Sequence, residues 1–315
     1  MRGNYMALLI GVILCFNTQM SWSQQDSQYT QYMYNTLSIN PAYAGSREGI
    51  SILGLYRNQW VGLDGAPETQ TFSIHAPIGE KIGLGFNIIN DEIFISNETY
   101  FDINFSYKIN LSVDGQLAFG LKAGGHLLDI DPSRANTGPF DKDDIFSTFN
   151  IDKKFSPQIG AGVYYYSSNF YLGFSVPNIL TTKHFDDSGI SDNSFNSVTA
   201  EERLHYNLIT GYVFNLNNNL KFKPAALVKW VTGAPLQVDI SANFLFNEKL
   251  TLGAAYRWDA ALSALAGFQI SDSLMIGFAY DRETTELKEF NDGTYEVFLR
   301  FDISSRRRMI SPRFF

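Results

Sequence analysis

The chain has 315 residues and a formal net charge of -8; only 18% of its residues are charged, while 15% are Phe, Trp or Tyr. The acidic balance argues against non-specific nucleic-acid binding, which needs a basic surface to displace the counterions of phosphates. Many aromatics with few charges suit a β protein with a large apolar exterior better than one surrounded by water.

The N-terminus reads as a cleaved secretory signal, residues 1–23. Arg2 supplies the positive start, Met6–Phe16 the apolar core, and Ser21-Trp22-Ser23 a small-x-small cleavage site. The apolar run is too short for the ~20 residues of a membrane-spanning helix. Cys15, the only cysteine, lies inside this segment, with Leu14 where a lipoprotein signal wants a small residue. The mature chain is therefore expected to be free of cysteine and exported without disulfide staples. No later stretch offers a helical span, so a membrane location demands a closed barrel, the other structure that satisfies every backbone group in lipid.

Residues 24–48 form a punctuated lead-in, in which Asn40-Pro41 and Ala44-Gly45 act as breakers that cannot continue a helix. From Ile50 onward apolar residues recur with period two. In YFDINFSYKINL, Phe101, Ile103, Phe105, Tyr107, Ile109 and Leu111 point one way; Asp102, Asn104, Ser106, Lys108 and Asn110 point the other. Fourteen such runs are predicted, at 49–60, 69–77, 80–90, 97–110, 115–128, 155–167, 169–176, 203–216, 219–230, 235–246, 249–258, 261–270, 273–281 and 293–303. One face is almost uninterruptedly apolar. The other mixes Gly, Ser, Asn, Lys, Asp and Gln, as in Gly120, Lys122, Gly124 and His126.

The connections sort by parity. Links after even runs are short and turn-like (PIGEK, SVDGQ, SSN, NNN, NEK, SDS), whereas the long ones follow the fifth, seventh and thirteenth runs. Short periplasmic turns and long extracellular loops are the arrangement of outer-membrane barrels, whose strand number is even. The predicted fold is all-β: an antiparallel transmembrane β-barrel of about 14 strands over 49–303, with an N-terminal lumen or periplasmic segment (24–48) and a C-terminal periplasmic tail (304–315).

QYTQYMYNTLSINPAYAGS, then LYRNQWVGLDGAPETQTFSIHAPI, then YLGFSVPNIL and the terminal SPRFF together resemble the PorP/SprF family of outer-membrane proteins. The resemblance runs from about Gln28 to the last residue. It implies a component of the type IX secretion and gliding machinery of Bacteroidetes that helps secrete or hold a surface protein, acting by binding. Its expected partners are the secreted protein's C-terminal domain, received by loops 129–154 and 177–202, periplasmic and outer-membrane secretion components, and outer-membrane lipid. On this reading the lead-in, with Asn40, Pro41, Tyr43 and Gly45, enters from the periplasmic side and turns into the first strand. It forms either a lumen plug, hydrogen-bonded through Gln28, Tyr29, Gln31, Tyr32, Tyr34 and Asn35, or a disordered tail.

The sequence offers no recognisable catalytic or metal-binding constellation. His75, His126, His184 and His205 have no metal-ligand spacing with one another or with Cys15. No G-x-S-x-G nucleophile motif is present. The acidic loop 129–144 with FDKDDIF (Phe140–Phe146) lacks the EF-hand ladder, and solvated charge is its plainer reading. No enzyme activity and no cofactor are expected. The best partner surface is RNQWVGLDGAP, joining the first two runs: Arg57, Gln59 and Trp60 are interface-type residues or their neighbours, and Gly62, Gly65 and Pro67 set a loop shape. The basic cluster Arg306-Arg307-Arg308 is a candidate handle for a periplasmic partner or anionic lipid heads. Two other functions stay open: a channel of the long-chain fatty-acid transporter type, and a structural barrel that only docks other proteins.

Overall fold

The structure is a computed structural model describing residues 27–131, 151–180, 204–232 and 234–303. The signal segment, His184, the acidic stretch 140–146, most of both long loops, Arg306–Arg308 and Phe315 lie outside the described residues.

Fourteen strands are present: β1 (Ile50–Asn58), β2 (Glu68–Ile78), β3 (Ile82–Ile93), β4 (Ser96–Asn110), β5 (Gln116–Ile130), β6 (Ile151–Tyr166), β7 (Phe170–Val176), β8 (His205–Tyr212, continued beyond Val213 by Phe214–Asn217), β9 (Leu220–Val231), β10 (Gln237–Phe246), β11 (Leu250–Arg257), β12 (Ala261–Gln269), β13 (Leu274–Glu283) and β14 (Thr294–Ile303). Each pairs antiparallel with its sequence neighbours. β14 returns to β1, from Ile50 opposite Ile303 to Asn58 opposite Tyr295, and the sheet closes into a barrel. Each predicted run coincides with one strand. No helix of the described residues is long and apolar enough to cross a membrane.

The period-two pattern sets the two faces of the wall. Leu84, Phe86, Ile103, Phe105, Leu121, Leu172, Phe174, Leu252, Leu262 and Leu299 are exposed on the outside. Their alternates, including Ser51, Thr71, Asn87, Asn104, Ser106, Ser175, Asn207, Ser241 and Asn243, are buried within the lumen. A continuous outward apolar band is unstable in water and stable in a bilayer, which strands of about 9–11 residues span. Aromatic pairs mark the rims, with Tyr206 packed on Trp230 at one end (ring centroids 5.3 Å apart) and Tyr212 on Phe214 at the other (4.5 Å).

The wall is taller on one side. β4, β5 and β6 have 15, 15 and 16 residues, against 7 in β7. Only Ala161–Tyr166 of β6 pairs with β7, so Ile151–Gly160 rises past it at the long-loop end. This also explains why β6 begins before the predicted residue 155. The raised edge carries Lys153, Lys154 and Pro157, residues that blunt an edge against adventitious pairing.

Candidate functional site

The lumen is occupied. Residues 27–47 lie inside the barrel, with Gln31, Tyr32, Asn35, Asn40, Ala42 and Ala44 almost completely inaccessible. A single helical turn, α1 (Thr36–Ile39), is followed by a 3-10 turn over Pro41–Tyr43. The Asn40 side chain accepts from Ala42 N (2.9 Å) and caps that turn, with Pro41 at the position where a missing N–H costs nothing. The breakers thus fold a compact plug. Gly45, at φ +66°, then reverses the chain toward β1.

The partners of the plug give its direction. At the long-loop end, Ser27 Oγ donates to Asp91 Oδ2 (3.0 Å), and the backbone N–H groups of Thr30 and Gln31 donate to the Glu296 carboxylate (2.9 and 2.8 Å). Farther in, Ser38 meets Asn87 (3.2 Å) and Asn40 Nδ2 donates to the Val163 carbonyl (3.0 Å). At the short-turn end, Lys108 Nζ donates to the Gly45 carbonyl (3.1 Å) and Arg47 pairs with Asp302 (2.9 Å). The described segment therefore runs from the long-loop mouth to the short-turn end before β1 climbs back. Entry from the periplasmic side, expected from the sequence, does not match this path: Ser27 stands at the opposite mouth.

Wall and plug are shaped to each other. A Cβ at Gly83 would overlap the Ala44 carbonyl, and one at Gly120 would overlap the Ala42 backbone nitrogen. These two glycines let the plug backbone lie against the wall. Elsewhere part of the inner face is apolar. Leu53, Leu55, Ile209, Leu227, Leu265 and Phe298 point inward and form one apolar cluster with Tyr29, Tyr32, Met33, Tyr34, Leu37 and Ile39. The ring of Tyr34 lies 4.6 Å from that of Phe298 and within 5.2 Å of Lys223 Nζ. The hydroxyls of Tyr29 and Tyr32 meet the wall at Thr71 Oγ1 (2.9 Å) and Ser241 Oγ (3.3 Å).

Arg57 is the centre of the attachment. It is 1% exposed and points into the lumen. Its Nη1 donates to Glu296 Oε2 and to Thr30 Oγ1, and its Nη2 to Asp281 Oδ2, each at 2.9 Å. The Thr30 hydroxyl donates in turn to Asp281 (2.5 Å). The sequence reading places Arg57 in a partner surface at the long-loop rim; its side chain is instead buried in the lumen beneath it. In the alternating β1, Tyr56 faces out and Arg57 therefore faces in.

The rest of the expected surface stays at the long-loop mouth. Gln59 and Pro67 close the β1–β2 loop with a 2.9 Å backbone bond. Trp60, half-buried at φ +48°, donates Nε1 to Glu283 (2.9 Å) and its backbone N–H to Thr294 Oγ1 (3.2 Å). Val61 exchanges backbone bonds with Gly293 and Asp292, clasping this loop to the β13–β14 loop. Gly62 and Gly65 are exposed and take φ of +96° and +76°; a Cβ at Gly65 would strike Phe94. The loop is a fixed surface rather than a free one.

Between the plug and the wall from β3 to β9 lies a small cavity of about 70 Å³, lined by Ser27, Tyr29, Tyr100, Asp102, Lys122, Gln158, Asn178, His205, Asn207 and Lys229 among others. It has room for a few waters. Of the histidines, His126 stacks on Tyr100 at 4.3 Å inside the wall, and His75 accepts from Gly45 N (3.2 Å). Among the described residues no three His, Cys, Asp or Glu side chains converge as a metal site would require.

The family described as "Type IX secretion system membrane protein PorP/SprF" matches residues 21–301. No curated protein matches the chain in sequence. Among solved structures, the outer membrane protein Omp33 of Acinetobacter baumannii is similar at TM-score 0.46 and 9% identity, over 82% of this chain and 100% of that one. The CymD monoaromatic hydrocarbon channel is similar at 0.49 and 11%, over 88% and 93%, and the KdgM porin at 0.36 and 9%, over 80% and 99%. At these scores they carry no argument about activity, and the barrel stands on this chain's own strand pairing.

Proposed function

The chain belongs to the PorP/SprF family of type IX secretion system membrane proteins, and from that premise we propose a non-catalytic outer-membrane adaptor that helps secrete or anchor a cognate surface protein by binding its C-terminal domain. One observation supports the reading above the others: the lumen is filled by residues 27–47 from one mouth to the other. A barrel filled in this way supports a role for the surfaces at its two ends. The surface at the long-loop end combines the clasped β1–β2 and β13–β14 loops with the bases of the 131–151 and 177–204 connections. Trp60 and the exposed turn at Gly62–Gly65 supply the rigid, partly apolar contact that a folded partner needs. Secretion-machinery components are the other partners, and gliding adhesins are one class of client. The long-chain transporter alternative shares an N-terminal plug, and it is the family match that does not favour it.

The test is display of the client on the cell surface. Shortening the 177–204 connection, with heat-modifiable migration of the barrel retained, is expected to abolish display. Unchanged display would overturn the adaptor reading in favour of a barrel that docks through its periplasmic end.

A further inference from the structure

We infer that the mature N-terminus of this protein is exposed on the cell surface, not in the periplasm, and that the barrel has closed around a segment threaded through it. The inference starts from Ser27, whose hydroxyl is bonded to Asp91 and whose carbonyl accepts from Lys229 Nζ (3.3 Å). Asp91 lies three positions from the β3–β4 link, opposite Thr69 at the start of β2. Lys229 is in the last residues of β9, opposite Gln237 at the start of β10. Both belong to the end of the barrel that carries the long connections after β5, β7 and β13, which is the extracellular end. From there the chain descends past Asn87 and Val163 to Lys108 and Asp302, beside the short turns.

With cleavage after Ser23, as the sequence predicts, residues 24–26 alone separate Ser27 from the terminus. Three extended residues reach at most about 11 Å. A nine-residue strand such as β1 is about 30 Å long. The terminus cannot return to the periplasm over that distance. Nor does the plug enter a finished barrel: Tyr29, Tyr32 and Tyr34 are buried against inward side chains from several strands, and the Ala42–Ala44 backbone lies on Gly120 and Gly83. Closure of β14 on β1 follows, because Arg57 of β1, Glu296 of β14 and Thr30 of the plug share one set of bonds.

The test uses the full-length protein in cells. A short epitope inserted between Gln25 and Asp26 is compared with the same epitope in the β13–β14 loop and in the β4–β5 turn at Asp114. The inference expects antibody binding on intact cells for the first two and only after permeabilisation for the third. Detection of the N-terminal epitope only after permeabilisation would overturn it. A second measurement covers an insertion that impairs assembly. With Ser27→Cys and Asp91→Cys together, in a mature chain expected to lack other cysteines, oxidation is expected to yield the linked peptide on non-reduced digestion. Two free thiols in folded barrels would place Ser27 elsewhere and contradict the inference.

Discussion

Arg57 and Glu296 are register partners across the strand pair that closes the barrel, and their side chains meet inside it, Nη1 2.9 Å from Oε2. The same guanidinium holds Asp281 of the next strand at 2.9 Å, while Glu296 also accepts two backbone N–H groups of the plug. Closure of the wall and retention of the plug thus depend on one buried cluster. Replacing Arg57 with Met takes from two buried carboxylates the cation bonded to both, a loss of about 3–5 kcal/mol. The expected outcome is a lower urea midpoint for barrel unfolding in detergent, with protease cleavage within residues 27–35 that the parent resists. Adding Glu296→Gln to Arg57→Met is expected to restore part of the loss, since it removes one of the stranded charges.

Gly120 tests the fit of plug to wall without touching a charge. Valine suits a strand interior, so Gly120→Val is expected to leave the barrel folded while pushing Ala42 off the wall. Protease access to the Asn40–Gly45 stretch is the readout. Gly54→Val is the control, because nothing lies within 4 Å of a Cβ at that position; it is expected to behave as the parent.

Removal of the plug tests whether the lumen is otherwise a pore. In planar bilayers the parent is expected to show no steady conductance, and a variant lacking residues 27–46 is expected to conduct. Failure of the deletion variant to conduct, with its heat-modifiable migration intact, would mean that side chains of the wall alone seal the barrel.

Trp60 is expected to matter outside the membrane. Trp60→Ala removes the bond to Glu283 and the ring that fixes the clasp between two mouth loops. Loss of a Trp anchor at an interface is worth about 2 kcal/mol or more, roughly thirtyfold in affinity. Client binding to purified protein is expected to weaken by that order, with the unfolding midpoint little changed.

The wall was legible in the sequence because a strand in a barrel must alternate, and lipid on one side makes the alternation strong. Runs such as Phe101–Leu111 leave one register. The path of the lead-in was not legible, since contacts such as Ser27 with Asp91 join residues far apart in sequence and periodicity says nothing about them. Two signals did carry the plug. Leu53 and Leu55 break the polar inner parity of β1, and inward leucines are costly in a water-filled lumen but stable against Tyr34 and its neighbours. Arg57 shares their parity, so its inward direction followed from the same count; reading it as an interface residue by type alone missed this. The beginning of β6 at Ile151 was missed because Asp152, Lys153 and Lys154 obscure the alternation where the strand rises beyond the rim.

Co-purification tests the central claim most directly. The full-length protein with a C-terminal affinity tag is extracted from outer membranes in mild detergent, and its companions are identified by mass spectrometry. The adaptor account expects secretion-machinery components together with one large exported protein, retained through its C-terminal domain. A barrel that emerges alone, under conditions in which other envelope complexes stay intact, would contradict it.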